Sequence, residues 1–393
     1  MKSIVLYTEE IDDPSAAAEE LFGQAEDFEF EKNSIGIIFA DEELEYEEFY
    51  ECLARKWRFP IIGATALVSL AGTLGCKESG ISMMILTADD CAFATGISTG
   101  ITAENYREKI KETYGRLAEQ LPEEEKLILS YSTNITGMVV DSLIDAMEAA
   151  GTKAPIYGAL ASDHWSFSDY RVFYNGMAQE NAHVLVLISG NITPKFVFVQ
   201  SVSDMANVSY EVTESKENQV FRLGNNTLLD ALNQANLGSS KNRLAADYAL
   251  TPFVVTLKKK DTLLNVSRSL ARLNQETGSG VFQGGIPEGS SLKIGVISKE
   301  VVQSSVAQAF RGILTCLSKE HGGSAAILCT SCASRILALG GDSTAEADCY
   351  KELLPKDTSL LGLYSYGEIC PMAIENMEYV NLFHNCTFTI LAF

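Results

Sequence analysis

Residues 60–66 read Pro60-Ile-Ile-Gly-Ala-Thr-Ala66, and residues 155–161 repeat the pattern as Pro155-Ile-Tyr-Gly-Ala-Leu-Ala161. The two copies lie 95 residues apart, and each follows an apolar run and a helical pattern. A more divergent copy near the C-terminus reads Leu360-Leu-Gly-Leu-Tyr-Ser-Tyr-Gly-Glu-Ile369. A period of this length contains a whole supersecondary unit, so the sequence predicts a fold assembled from duplicated modules.

Each repeat has the predicted order β-α-β-β, because an apolar run of strand length precedes a helical pattern and further apolar runs follow. The three repeats span residues 34–100, 126–190 and 325–393. The predicted fold class is α/β, with mixed sheets and helices packed on them. A change from extended to helical patterning divides the chain into two predicted halves, residues 1–222 and 223–393.

Composition limits the class of protein. The formal net charge of −22 argues against nucleic-acid binding, which requires clustered Lys and Arg. Hydrophobic residues make up 46% of the chain, which is enough for packed cores. The nine cysteines are scattered and lie mostly in apolar runs, which is typical of free thiols in a reducing compartment. With no signal peptide and no apolar run of membrane length, we expect a cytoplasmic protein that does not insert into membranes.

Polar residues concentrate at the predicted carboxyl ends of strands, where open α/β sheets bind ligands. In the second and third repeats these ends read Ser130-Tyr-Ser-Thr-Asn134, Ser162-Asp-His-Trp165, Thr330-Ser-Cys-Ala-Ser-Arg335 and Ser365-Tyr-Gly-Glu368. We therefore predict a site there. The alternative is that these are ordinary loop residues, with Arg335 and Glu368 paired to each other and Asp163-His164 forming an Asx-type turn. A strand is predicted over residues 167–175, directly after the second of these ends.

Other chemical signals are weaker. Cys329-Thr-Ser-Cys332 has CxxC spacing but no second pair to complete a zinc site. With four histidines in the chain, a multi-histidine metal centre is not expected, and no metal is predicted. A thiolate from Cys370, followed by Pro371 in a predicted loop, is a candidate haem ligand. No hydrolase, zinc-protease or phosphate-loop motif occurs, so the chain is not expected to be an enzyme.

Several segments together resemble one known family. They are PIYGALASD at 155–163, HVLVLIS at 183–189, EVTESKENQVFRLGNN at 211–226, IPEGSSLKIGVIS at 286–298, SCASRILALG at 331–340, LLGLYSYGEICP at 360–371 and HNCTFTILAF at 384–393. In this order and spacing the chain resembles the FIST family, with an N-terminal and a C-terminal FIST domain. The resemblance covers nearly the whole chain.

The resemblance implies a sensory input module that binds a small ligand, such as an amino acid. Its motif positions in this sequence are Cys332, Arg335, Tyr366, Gly367, Glu368, His384 and Asn385. Family members also occur joined to histidine kinases, cyclic-di-nucleotide enzymes or chemotaxis transducers. Because no such output domain is recognisable in this sequence, we expect the signal to pass to a separate protein of one of these kinds.

Three functions were weighed. In the first, a small polar metabolite binds without a cofactor, held by Arg335 through a carboxylate, by Glu368 through an amine or hydroxyl, and by Tyr366. Cys332, Asn385, His384, Asp163 and Asn134 complete the candidate ligand-binding residues. In the second, the chain is a haem-based nitric-oxide sensor with His164, His384 or Cys370 as the axial ligand. In the third, Cys332 is an enzyme nucleophile activated by Arg335.

Overall fold

The chain forms three repeated α/β units and one inserted β-sheet. The structure, a computed structural model, describes residues 1–77, 79–204, 208–237, 248–259, 261–318, 325–356, 358–374 and 378–393. The predicted α/β class, with mixed sheets and packed helices, is confirmed.

The first unit begins earlier than the predicted repeat, with a strand and a helix before residue 34. Its elements are β1 (Lys2–Thr8), α1 (Pro14–Gln24), β2 (Asn33–Ala40), α2 (Tyr46–Leu53), β3 (Ile61–Thr65), β4 (Ser69–Ala71), β5 (Gly75–Lys77) and β6 (Ile81–Ala88). Helix α1 starts where the Asp13 carboxylate accepts hydrogen bonds from the amides of Ser15 and Ala16, with Pro14 at the first helical position.

The second unit follows directly and repeats this order. Its elements are β7 (Cys91–Ser98), α3 (Tyr106–Ala118), β8 (Leu127–Ser132), α4 (Asp141–Ala150), β9 (Ile156–Leu160), β10 (Val172–Tyr174), β11 (Met177–Gln179) and β12 (His183–Gly190). The strand predicted over residues 167–175 is therefore shorter at its start, and Phe167 lies in the loop that precedes it.

The third unit is split by the inserted sheet. After β13 (Lys195–Gln200) the insertion supplies β14 (Ser203–Asp204), β15 (Tyr210–Lys216), β16 (Gln219–Leu223), α5 (Leu228–Gln234), β17 (Phe253–Lys259), β18 (Thr262–Arg268), β19 (Leu270–Leu273), β20 (Gly280–Phe282) and β21 (Ser291–Val296). The unit resumes with α6 (Lys299–Ser318), β22 (Ala326–Cys332), α7 (Ser334–Ala338), α8 (Ala345–Lys351), β23 (Ser359–Ser365), β24 (Glu368–Ala373), β25 (Tyr379–His384) and β26 (Thr387–Ala392). Because β13 pairs with β26, sheet pairing crosses the predicted boundary at residue 222.

Each unit contributes the centre of one six-stranded sheet, and the three sheets have the same strand order. The orders are β1-β6-β2-β3-β10-β11, β7-β12-β8-β9-β24-β25 and β13-β26-β22-β23-β4-β5. In each sheet the third and fourth strands are parallel, and the helix or helices between them in sequence make a β-α-β crossover.

The last two strands of every sheet form a hairpin that comes from a different unit. Hairpin β10–β11 of the second unit pairs with β3, β24–β25 of the third unit pairs with β9, and β4–β5 of the first unit pairs with β23. The exchange is cyclic, so each unit both gives and receives a hairpin. This interlocking explains why the repeated motif occurs three times: no unit completes its own sheet.

One glycine of each repeated motif lies where the two parallel strands approach most closely. Gly63 faces Ile38 and Gly158 faces Ser130, and a Cβ atom at either glycine would lie 1.8 Å from the carbonyl oxygen of that partner. Gly362 faces Cys329 in the same way, with an added Cβ 2.3 Å from the sulfur. The motif therefore requires glycine for close packing of neighbouring strands, and not for an unusual backbone angle.

The three sheets share one apolar core, to which the inner faces of all three contribute, and helices cover their outer faces. Tyr157 lies within it and donates its hydroxyl to the carbonyl of Leu328, which joins the second and third units. The parallel strands of all three units end close together, because the Ser162 amide donates to the Thr65 carbonyl and the Ser162 hydroxyl donates to the Tyr364 carbonyl. Of the helices among the described residues, none is long and apolar enough to cross a membrane.

Candidate functional site

A cavity of about 520 Å³ opens at the carboxyl ends of β22 and β23, beneath the inserted sheet. It is lined by Trp165 and Phe167 of the second unit, by Cys332, Ala333, Ser334, Leu337, Ser365, Tyr366 and Asn385 of the third unit, and by Ala249, Ser269, Leu270, Ala271 and Gln283 of the insertion. The walls are apolar and aromatic, with neutral polar groups between them. A volume of this size fits a small organic ligand.

The loop after β9 brings two aromatic rings to this cavity, and Asp163 holds the loop in place. The Asp163 carboxylate is fully buried and accepts hydrogen bonds from the Ser166 hydroxyl and from the backbone amides of residues 167, 168 and 169. Trp165 and Phe167 adopt left-handed backbone angles, with φ of 65° and 56°. Such angles are uncommon for bulky residues, so the loop is strained. The hydrogen bonds to the Asp163 carboxylate offset this strain and hold both rings at the cavity.

Tyr366 lies between this loop and the third unit. Its hydroxyl donates to Asp163 Oδ1 at 2.5 Å, and its ring stacks on Phe167 with 4.6 Å between centroids. Burial alone would raise the pKa of Asp163, but the hydrogen bonds from Tyr366 and the loop lower it to about 2. Asp163 therefore acts on the cavity through Tyr366 and the loop. The Asx-type turn considered as an alternative is not formed, because the Trp165 amide donates to the backbone carbonyl of Asp163 and not to its side chain.

Three predicted residues line the cavity directly: Cys332, Tyr366 and Asn385. Asn385 accepts a hydrogen bond from the Ser269 amide through Oδ1, which fixes its amide plane between the third unit and the insertion. Ser334 and Ser365 add hydroxyl groups to the same wall. These groups can donate to and accept from an uncharged ligand.

Glu368 lies behind the wall and not on it. Its side chain is fully buried and accepts hydrogen bonds from the hydroxyls of Ser365 and Thr387 at 3.1 and 2.7 Å. Burial is the main cause that raises the pKa of Glu368 well above its usual value. It reaches the cavity only through the Ser365 hydroxyl, and the predicted direct contact with a ligand amine is not what the geometry provides.

Arg335 also points away from the cavity, which corrects its predicted role as a carboxylate clamp. Its guanidinium is fully buried, donates from Nε to Glu346 at 2.6 Å, hydrogen-bonds the Ser201 hydroxyl and lies over the Phe388 ring. The alternative pairing of Arg335 with Glu368 is likewise wrong, because Glu346 is the ion-pair partner. Helix α7 turns the Arg335 side chain towards α8 and α6, whereas Ser334 and Leu337 of the same short helix face the cavity.

The candidate haem ligands His384 and Cys370 lie on paired strands inside the core, and neither lines the cavity. The His384 ring is fully buried, hydrogen-bonds the Cys370 carbonyl through Nε2 and stacks on Phe198, and burial lowers its pKa to about 4. Cys370 belongs to β24 and not to a loop. His384 is thus not a direct ligand-binding residue of this cavity either.

His164, the third candidate, lies at the end of β9 and faces the first unit. Its Nδ1 is 2.9 Å from Glu42 Oε1, and ligand atoms of His164, Glu42 and Asp41 lie within 4.8 Å of one another. These residue types can hold a divalent metal ion. The sequence analysis missed this group because Asp41 and Glu42 lie in a different repeat from His164. Of the other histidines, His321 lies outside the described residues. Asn134 is exposed at the end of β8 and does not line the cavity.

The residues that sequence reasoning missed come from the inserted sheet. Ser269, Leu270 and Gln283 form the roof of the cavity. Arg268, next to Ser269, is fully buried and pairs with Asp141 of α4 at 3.0 Å, which anchors the roof to the second unit. Arg268 stands at the end of a run with strand patterning, and this position of an arginine was the one signal in the sequence that indicated such an anchor.

A second cleft, of about 580 Å³, lies between the first residues of β2 and the segment before β3. It is more open to solvent and is lined by charged and aromatic residues such as Lys32, Lys56 and Trp57. Because it lies at the amino ends of the parallel strands, it is at the edge where α/β sheets do not usually bind ligands. The cavity at the carboxyl ends is therefore the better candidate site.

The fold and cavity define an α/β protein of three repeated units in which an inserted sheet closes a cavity of about 520 Å³. The family model of the FIST N domain matches residues 34–226, and that of the FIST C domain matches residues 228–371. The chain therefore belongs to the FIST family, whose domains are sensor domains of signal transduction. A search of curated proteins found no match. The two family models meet between β16 and α5, so the inserted sheet contains segments of both.

Proposed function

We propose that this protein is a sensor that binds one small, uncharged polar metabolite in the 520 Å³ cavity. The observation that carries the proposal is the composition of the wall, in which aromatic rings from the second unit face hydroxyl, amide and thiol groups of the third. An amphipathic molecule with an aromatic or alicyclic part fits such a wall. A free amino acid, which we considered from the sequence, would need charged partners, and the described lining residues are all neutral.

The signal passes from the cavity to a separate signalling protein. All three structural parts that meet at the cavity contribute lining residues, so a ligand that fills it fixes their relative positions. A sensor requires such coupling, because a ligand shifts a conformational equilibrium only by binding one state better than another. A histidine kinase, a cyclic-di-nucleotide enzyme or a chemotaxis transducer is the proposed partner, and no catalytic role of the chain itself is proposed.

Native mass spectrometry of the protein purified from its own cells tests this function. We expect an added mass of a few hundred daltons that is lost on denaturation. The variant Ala271→Phe places a ring into the cavity from the half-buried roof and should lose the added mass. Ala178→Phe, at a half-buried position of β11 outside the cavity lining, is the matched control and should keep it.

An added mass that persists in Ala271→Phe would place the ligand elsewhere, and a bare chain under all conditions would contradict the proposal. An absorbance spectrum of the same sample distinguishes the haem alternative. A haem mass with a Soret band would replace the metabolite by haem as the ligand.

A further inference from the structure

Two cysteines far apart in the sequence meet at the floor of the cavity. Cys332 is the last residue of β22 and lines the cavity, whereas Cys386 lies directly behind it in the turn between β25 and β26. The Ser334 hydroxyl is 3.2 Å from the Cys332 sulfur and 3.4 Å from the Cys386 sulfur, so one hydroxyl contacts both thiols. Cys329, the other cysteine of the CxxC spacing, is packed in the core against Gly362.

The environment of this pair differs for its two members. The Ser334 hydroxyl donates to the Cys386 sulfur at 3.4 Å, and the Ser269 hydroxyl lies 3.3 Å from the same sulfur. Hydrogen bonding with Cys332 is the main cause that lowers the pKa of Cys386, and burial opposes it. The same hydrogen bonding and burial raise the pKa of Cys332, so the two thiols are inequivalent.

The backbone at Cys386 supports a specific role for the turn. Its φ is 57°, in the left-handed region that residues with a side chain seldom occupy. The amide of Ser201 donates to the Cys386 carbonyl at 3.0 Å, and Asn385 is held by the Ser269 amide. These contacts keep the Cys386 sulfur pointed at Cys332. If the position served only to make a tight turn, glycine would be the favoured residue there.

We propose that Cys332 and Cys386 form a redox-active dithiol that small organic hydroperoxides, entering through the cavity, oxidise to a disulfide. Cys332 is the thiol that an entering molecule meets, and the apolar and aromatic walls suit an organic peroxide. Cys386 lies behind it as the resolving thiol. The consequence of oxidation for sensing rests on the function proposed above, whereas the chemistry of the two thiols does not.

The reaction balances with the two thiols and the hydroperoxide alone. The Cys332 thiol gives up its proton, and its sulfur attacks the terminal oxygen of the hydroperoxide. The O–O bond breaks, the leaving alkoxide takes that proton to give the alcohol, and Cys332 becomes a sulfenic acid. The Cys386 thiol then gives up its proton and its sulfur attacks the Cys332 sulfur, the S–O bond breaks, and the hydroxide takes that proton and leaves as water. Two thiols lose two electrons and the peroxide gains them.

The disulfide also changes the cavity. Both sulfurs now contact the Ser334 hydroxyl, and a bond of about 2.05 Å between them draws the end of β22 and the turn together. Ala333 and Ser334 follow Cys332, and Asn385 precedes Cys386, and all three line the cavity. The two oxidation states therefore present different walls, and a ligand distinguishes them.

Disulfide mapping of the full chain tests the dithiol. Reduced protein is treated with cumene hydroperoxide, alkylated, digested and analysed by mass spectrometry. We expect a linked peptide of Cys332 and Cys386 and a fall from nine alkylated cysteines to seven. Cys386→Ser should stop at a Cys332 sulfenic acid that dimedone traps, and Cys332→Ser should give no link. Cys329→Ser, on the same strand, is the matched control and should form the link as the unaltered chain does.

Nine alkylated cysteines after treatment, or a link between other cysteines, would overturn the dithiol, and this result needs no variant to fold. Coupling to the cavity is read from the fluorescence of Trp165, which lines it, in a Trp57→Phe background. We expect oxidation to change that emission, and the change to be absent in Cys386→Ser. A link that forms without any change in emission would overturn the coupling. Neither measurement involves the ligand, so failure of the dithiol proposal can be distinguished from failure of the proposed sensor function.

Discussion

Tyr366 of the third unit donates its hydroxyl to Asp163 of the second unit at 2.5 Å. This single contact joins the strand ends of two repeats that are far apart in sequence. It also positions both faces of the cavity, because Asp163 holds the loop with Trp165 and Phe167 while the Tyr366 ring forms the adjoining wall. The pair is therefore one of the contacts that join the second and third units at the candidate site.

Removal of the Tyr366 hydroxyl is expected to destabilise the folded protein. Tyr366→Phe deletes a hydrogen bond to a buried carboxylate, and we expect the free energy of unfolding to fall by about 1.5–3 kcal/mol in urea titrations. Tyr170→Phe is the control, because the Tyr170 ring meets Tyr366 edge-on and its hydroxyl is not among the donors to Asp163. Equal losses in the two variants would contradict a specific role for the contact.

Stability should fall with acid in a window set by Asp163. Its pKa is 3.8 when unperturbed and about 2 in the folded chain, so the unfolded state binds the proton first as pH decreases. The stabilisation is complete above pH 3.8 and is lost as pH falls towards 2, which amounts to about 2 kcal/mol. Urea midpoints measured between pH 5 and 2 check this, and Asp163→Asn should lack that part of the decrease. An identical pH profile in the variant would show that other carboxyls cause it.

Arg335 and Glu346 are expected to behave as a buried pair. Arg335→Met leaves the Glu346 carboxylate without its ion-pair partner, and Glu346→Leu leaves the guanidinium without its own, so each should lose about 3–5 kcal/mol. The double variant Arg335→Met/Glu346→Leu removes both charges and should recover most of the loss. Additive losses in the double variant, measured by urea unfolding, would contradict the pairing. A direct ligand role for Arg335 would instead appear as lost ligand mass with little loss of stability.

The motif glycines should not tolerate a methyl group. Gly158→Ala places a Cβ atom 1.8 Å from the Ser130 carbonyl oxygen and forces two parallel strands apart, so we expect a loss of about 3 kcal/mol or more. Gly23→Ala is the control, because that position in α1 has open space and alanine favours a helix by about 1 kcal/mol. Thermal unfolding of the two proteins should therefore shift in opposite directions. A Gly158→Ala protein as stable as the original would refute the close strand contact.

The sequence predicted individual strands and helices better than it predicted which strands pair with each other. The strands around the repeated motif and the helices between them follow from hydrophobic periodicity, which depends on neighbouring residues alone. Strand β24 was missed because the sequence from Glu368 to Pro371 is typical of a loop, since a proline ends most strand patterns. In the structure Pro371 belongs to β24, the strand that lies between β9 and β25. The cyclic exchange of hairpins depends on contacts between units, and no local pattern records which unit a hairpin joins.

The same division holds for the candidate site. Strand-end polarity identified Cys332, Tyr366 and the loop after Asp163, because the carboxyl ends of parallel strands must meet at one edge, and the family resemblance added Asn385. Which way each side chain points was decided by the tertiary structure. Arg335 turns to a buried carboxylate because an unpaired guanidinium in the core would be costly, and Glu346, in α8, supplies the partner. Cys386 reaches Cys332 because β26, which begins at Thr387, pairs antiparallel with β22, and this pairing of strands far apart in sequence is a tertiary contact.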